Sequence, residues 1–192
     1  PVLAYRRLVR VDDRTAPSFL FESVEQGGNV GRYSFLGVRP AVEVFARGND
    51  LFVERNGESF DLSGADPFDC LRTIALEYAP VYRPNDGAVP EGFRSGWVGH
   101  CGYDTARWAE QEKLGFATAP SDDRQLNDMH MALYGQVLVF DHVAKMVFVI
   151  VTEPVALHGS REAAEAAARW GRFLTIQLCC FAMRKLPRNW NW

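Results

Sequence analysis

The chain has 192 residues, of which 47% are hydrophobic and 23% charged, and its formal net charge is -3. This is the make-up of a globular domain, alone or with a tail, and it excludes a disordered polymer. No cluster of Lys and Arg offsets the negative balance, so nucleic acid finds no basic field. The longest nearly unbroken apolar run, residues 173–183, falls short of the roughly 20 residues that span a bilayer.

The four cysteines are Cys70, Cys101, Cys179 and Cys180. Two stand alone and two are adjacent, which is neither a disulfide framework nor zinc-site spacing. A reducing compartment is expected, and secretion is not. The sequence opens on Pro1, so a targeting peptide is invisible in it.

In chain order, residues 19–21 and 33–36 are strand candidates, with Gly27, Gly28 and Asn29 between them. Residues 41–47 alternate a small apolar face (Val42, Val44, Ala46) with a mixed one (Glu43, Phe45, Arg47), and residues 51–55 continue after Gly48, Asn49 and Asp50. Period-two patterning with such punctuation predicts an antiparallel hairpin. The period then changes. Asp66 and Pro67 are an N-cap and a first-turn proline; Phe68, Leu71, Ile74, Ala75 and Tyr78 follow at helical spacing, and Pro80 is expected to stop the helix. Residues 80–90 read as a surface connection. Residues 96–103 read as a buried strand, with Asp104 capping a short helix through Trp108.

A polar loop, 119–128, leads to the clearest hairpin: residues 136–140 and 146–151 flank a turn at 141–145. Both arms are β-branched and aromatic, as strands prefer. Ser160 can cap an Ala- and Glu-rich helix. Strands, a helix and further strands predict an α+β fold, an antiparallel β-sandwich-like domain with flanking helices.

Catalytic motifs are mostly absent. There is no Walker loop, no His-Glu-x-x-His, no nucleophile elbow and no dinucleotide fingerprint. Gly96, Gly99 and Gly102 recur every three residues but lead to no Gly-Lys-Ser/Thr, so close backbone packing explains them better than a phosphate loop. His100, His130, His142 and His158 lack ligand spacing and read as surface or satisfied core histidines.

The segment PSFLFESVE (17–25) carries more. On pattern alone it is first an ordinary strand end, with a solvated Glu22 and a capping Ser23. The second reading is a pocket for a zwitterion. Glu22 suits an ammonium, the Ser23 hydroxyl and backbone N–H groups suit a carboxylate, and apolar walls such as Phe21 or Tyr33 suit a hydrophobic side chain.

Four segments in order carry a family resemblance. PSFLFESVE (17–25) with GRYSFLG (31–37), GWVGHCGYDTAR (96–107) and VFDHV (139–143) resemble the N-terminal domain of the large (alpha, component I) subunit of anthranilate synthase. The opening PVLAYR and the Phe-Glu-Ser variant resemble plant and algal forms most. The resemblance implies a lyase taking chorismate and ammonia, with Mg2+, to anthranilate and pyruvate, the committed step of tryptophan synthesis. It also implies a glutamine amidotransferase partner subunit, feedback by L-tryptophan, and a plastid stroma location if the source is plant or algal, otherwise the cytoplasm.

By the same resemblance, Glu22 and Ser23 lie in the tryptophan pocket, and Arg32, Tyr33 and Ser34 carry over beside them. The expected regulatory domain is residues 1–157, followed by a helical segment and non-family tail at 158–192. Because the chorismate and Mg2+ residues of the family lie downstream, no catalytic or metal residue is assigned, no cofactor is expected on this chain, and turnover by it alone is not expected. His100 and Cys101 depart from the family's glycine-rich strand, and nothing after about Gly171 resembles the family. That tail fits either a partial or misframed gene sequence or an authentic short isoform. A free-standing tryptophan- or partner-binding module, and the related aminodeoxychorismate synthase component, are the alternatives.

Overall fold

Alternating apolar and polar residues dictate the first hairpin. In a computed structural model of the chain, β3 (Val42–Arg47) and β4 (Asp50–Arg55) pair antiparallel, from Val42 with Arg55 to Arg47 with Asp50. Val42, Val44, Ala46, Leu51 and Val53 are buried, whereas Glu43 and Phe45 are half-buried and Arg47 is exposed. The predicted faces are the observed ones. The structure describes residues 1–9, 17–24, 30–78, 92–152, 154, 158–160, 162–164 and 166. The glycines at 27 and 28, the connection at 80–90, Cys179, Cys180 and the tail from 171 lie outside these.

Every pairing among the described strands is antiparallel, and they form two sheets. One has the order β1 (Ser18–Val24), β2 (Val30–Val38), β8 (Gln136–Asp141), β9 (Met146–Val151). The other has the order β5 (Glu58–Asp61), β4, β3, β7 (Met129–Tyr134), β6 (Gly96–Cys101). The expected turn joins β8 to β9, with the Asp141 carboxylate accepting the N–H groups of Val143 and Ala144 at 3.0 and 2.8 Å.

One face of the five-stranded sheet is covered by helix. There Val42, Val44, Ala46, Leu51, Met129 and Leu133 pack with Ile74, Tyr78 and Trp108. Asp66 caps α2 (Pro67–Glu77), its Oδ1 accepting from the N–H of Phe68 at 2.7 Å and of Asp69 at 3.2 Å. Satisfying two otherwise orphaned donors at a helix start is worth about 1 kcal/mol. The helix ends at Glu77, before Pro80. The other face meets the four-stranded sheet through Phe19, Ala132, Tyr134, Val137 and Val139. Phe19 and Tyr134 touch edge to face across this seam, with centroids 4.8 Å apart. Burial pushes the Tyr134 phenol up to about 12.

Three short α-helices and two 3-10 turns, Tyr103–Thr105 and Phe116–Thr118, complete the described elements. α1 (Val2–Leu8) leans on β1, where the Tyr5 hydroxyl is 2.8 Å from that of Ser18. α3 (Ala106–Ala109) and α4 (Gln111–Leu114) are single turns. Further on, Ser160 Oγ accepts from the N–H of Ala163 at 3.2 Å, as the expected cap does. Among the described residues no helix is long and apolar enough to cross a membrane.

Two local expectations need correction. β6 is an edge strand, not a buried one, and Gly99, His100 and Cys101 are exposed. Its apolar composition reflects one neighbour and one covered stretch. Asp104 caps nothing; its carboxylate accepts from Arg107 Nε at 2.6 Å instead. The bland reading of the histidines suits the two near the sheet edge. His130 stacks on Phe45 and bonds Glu43 at 2.9 Å, and His100 reaches the Asn127 carbonyl.

Candidate functional site

The site residues sit where β1 meets β2. Glu22 lies directly opposite Ser34, and the ladder slips between Glu22 and Val24, the interval that holds Ser23. A slipped register kinks the strand and re-aims side chains, as bulges beside binding sites do. Glu22 is exposed, and its carboxylate meets no partner among the described residues. The side chain of Ser23 lies outside them.

Alternation sorts the remaining candidates into two faces. Glu22 and Ser34 share one face with Leu20 and Leu36, and Phe140 joins them as the β8 partner of Ser34. Tyr33 is on the other face, with Phe21 and Phe35, and packs against the seam between the sheets. The sheet therefore separates the two apolar walls expected from the sequence, Phe21 and Tyr33, from Glu22. Leu20 and Phe140, both half-buried, are the apolar neighbours on Glu22's own face.

Two residues beyond the sequence-based set complete the cluster. Asp141, 4% exposed, receives Arg32 Nε at 3.2 Å and Nη2 at 3.0 Å. The Arg32 guanidinium also lies over the Tyr33 ring, 4.9 Å from its centroid, while over half of that side chain faces solvent. Ser34, 2% exposed, places its hydroxyl 2.7 Å from His142 Nε2. The backbone closes the arrangement: the His142 N–H donates to the Arg32 carbonyl at 2.8 Å. The sequence marked this stretch as a turn and, in VFDHV (139–143), as a family segment, but not as part of the site, since Asp141 and His142 meet residues more than 100 positions away.

The Ala144 backbone N–H, and next the Arg32 guanidinium, hold the Asp141 carboxyl below its ordinary value of 3.8. A carboxyl whose folded-state value is depressed favours folding only while ionised. Its contribution is whole above 3.8 and is lost as pH falls through the depressed value. Urea unfolding should thus show wild type more stable than Asp141→Asn by a constant margin from about pH 7 to about pH 5, closing in strong acid. A margin that widens as pH falls would contradict this account of Asp141.

A cavity of about 160 Å3 lies elsewhere, between the end of α2 and strands β6 and β7. Tyr78, Trp97 and Leu133 line it, and the buried Trp97 indole N–H has no partner among the described residues. It shares no lining residue with the Glu22–His142 cluster. Among the described residues no three His, Cys, Asp or Glu side chains converge on a point that could hold a metal ion.

No protein-family model matches the chain. It is 47% identical over 168 residues to anthranilate synthase alpha subunit 1, chloroplastic, of Oryza sativa subsp. indica, a match covering 83% of this chain and 28% of that protein. To the Arabidopsis thaliana alpha subunit 1, chloroplastic, it is 48% identical over 155 residues, covering 78% of this chain and 26% of the relative. The chain thus spans little more than a quarter of these relatives' length. Among solved structures, anthranilate synthase component I from Streptococcus pneumoniae TIGR4 superposes with a TM-score of 0.51 at 25% identity, covering 98% of this chain and 35% of that one.

Proposed function

Because the chain belongs, over the residues matched, to the anthranilate synthase alpha-subunit family, we propose that residues 1–157 form a regulatory domain that binds L-tryptophan. The observation that carries this is Glu22 facing Ser34 across a ladder that slips at Ser23. An exposed carboxylate, two hydroxyl residues and a kinked backbone suit an ammonium and a carboxylate held side by side. Leu20 and Phe140 on the same face offer the indole apolar contact. In this reading Arg32, held by Asp141 and lying over the Tyr33 ring, borders the site at the end of the sheet.

Turnover of chorismate to anthranilate, the Mg2+ it uses and the glutamine amidotransferase partner belong in this proposal to the whole protein, and this chain alone does not turn over. The plastid stroma is the proposed location, since the plant relatives are named chloroplastic.

Calorimetric titration with L-tryptophan tests the site. Ser23→Ala should weaken binding about ten- to a hundredfold, or ~1.5–3 kcal/mol, if the hydroxyl bonds a charged carboxylate. In a full-length protein the same change should relieve feedback and spare turnover, because effector and substrate sites are distinct. A tryptophan curve unmoved by Ser23→Ala removes this strand end from the effector site.

A further inference from the structure

We propose that Asp141 and His142, at the end of β8, are positioning residues of the effector site, Asp141 fixing Arg32 and His142 fixing Ser34. This rests on the tryptophan reading above and adds to it a second strand, β8, with its turn. Neither residue need touch the ligand.

The geometry separates the two roles. Asp141 is buried yet accepts from four N–H groups: those of Val143 and Ala144 through Oδ1, and Nε and Nη2 of Arg32 through Oδ2. One oxygen is anchored to the turn and the other to β2. Such a carboxylate cannot follow Arg32 into a new rotamer without abandoning the turn, so the guanidinium is held in one place, over the Tyr33 ring.

His142 acts on a hydroxyl whose polarity it chooses. Ser34 has one O–H to give and lone pairs to receive. When the imidazole accepts at Nε2, the Ser34 hydrogen is spent on it and the hydroxyl has only lone pairs left to offer, suiting an ammonium. When the imidazole donates, the Ser34 hydrogen is freed toward a carboxylate. At 2.7 Å, and with Ser34 almost wholly buried, the hydroxyl has little alternative to one of these two states. The His142 ring therefore determines which end of a zwitterion Ser34 serves. Its backbone N–H on the Arg32 carbonyl keeps the ring in place relative to β2.

The test is L-tryptophan calorimetry on the full chain with paired variants. His142→Leu, which can neither donate nor accept, should weaken binding about tenfold, whereas His142→Gln, which can do both, should stay within about threefold of wild type. Thermal midpoints of the two should agree, so that rescue by the amide reports on Ser34 and not on folding. Asp141→Asn should weaken binding about tenfold in the wild-type background and add little in an Arg32→Leu background, because its effect passes through Arg32. If Ser23→Ala and Glu22→Gln weaken binding but His142→Leu does not, the positioning role is overturned and the tryptophan reading stands. If the chain takes up no tryptophan, or no variant changes its affinity, the tryptophan reading itself fails and takes this one with it.

Discussion

Gly99→Ala should lower the thermal midpoint by roughly 4–12 °C, from a loss of about 2–3 kcal/mol. A methyl group added at position 99 would collide with the His130 carbonyl and lie 2.8 Å from Met131 Cα. Both obstacles are backbone, so no rotamer change relieves the contact. β6 would have to draw away from β7 and weaken the pairs from Trp97 with Leu133 to Cys101 with Met129. Among the described strands β6 has no second neighbour to hold it. Cys101→Ser, two residues on and exposed, is the matched control and should shift stability by no more than about 0.5 kcal/mol. Circular dichroism melts check both. A Gly99→Ala midpoint equal to that of wild type would mean the two strands do not approach so closely.

The three-residue glycine spacing shows what was legible in the sequence and what was not. Close packing was the right inference at Gly99 and, less tightly, at Gly102, where an added Cβ would lie 3.2 Å from the Asp128 carbonyl oxygen. Gly96 has another reason, a φ of 140°, a conformation that side chains disfavour. The hairpins β3–β4 and β8–β9 were readable because tight turns keep their arms close in sequence. α2 was readable because its cap, first-turn proline and spacing agree.

Two strands escaped for opposite reasons. β7 is covered on both faces by Met129, Ala132, Leu133 and Tyr134, and a strand buried on both sides loses the alternation that identifies it. β5 is exposed along its whole length, so it has no apolar face to announce it. α1 starts at Val2, after a Pro1 that supplies no side-chain cap, and sends no start signal. At the candidate site, Glu22, Ser23, Arg32, Tyr33 and Ser34 came from a local resemblance. The residues that hold Arg32 and Ser34 come from the end of β8 and the turn after it, across a sequence separation no local pattern spans.

Trp108→Ala should be the most destabilising single change, costing about 3–5 kcal/mol. Trp108 is 6% exposed, and its ring sits between Phe68 of α2, at 6.0 Å between centroids, and Phe116, at 5.9 Å. Its indole N–H also donates to the Gly48 carbonyl at 2.8 Å, in the turn between β3 and β4. One side chain therefore ties α3 to α2 and to the first hairpin. Truncation leaves a cavity beneath the helical layer and removes the donor to that carbonyl. Trp108→Phe separates the terms, for it keeps a ring against Phe68 and Phe116 and loses mainly the hydrogen bond. Its cost should be about 1–2 kcal/mol. Urea titrations of wild type and both variants give the ordering, and Trp108→Ala should fall to a midpoint roughly 6–20 °C lower on heating. Trp108 lies on the far side of the five-stranded sheet from the Glu22 cluster, so at temperatures where the variant stays folded its tryptophan affinity should match wild type. An equal cost for alanine and phenylalanine would put the stabilisation in the hydrogen bond, and a negligible cost for both would mean that α3 does not anchor the first hairpin.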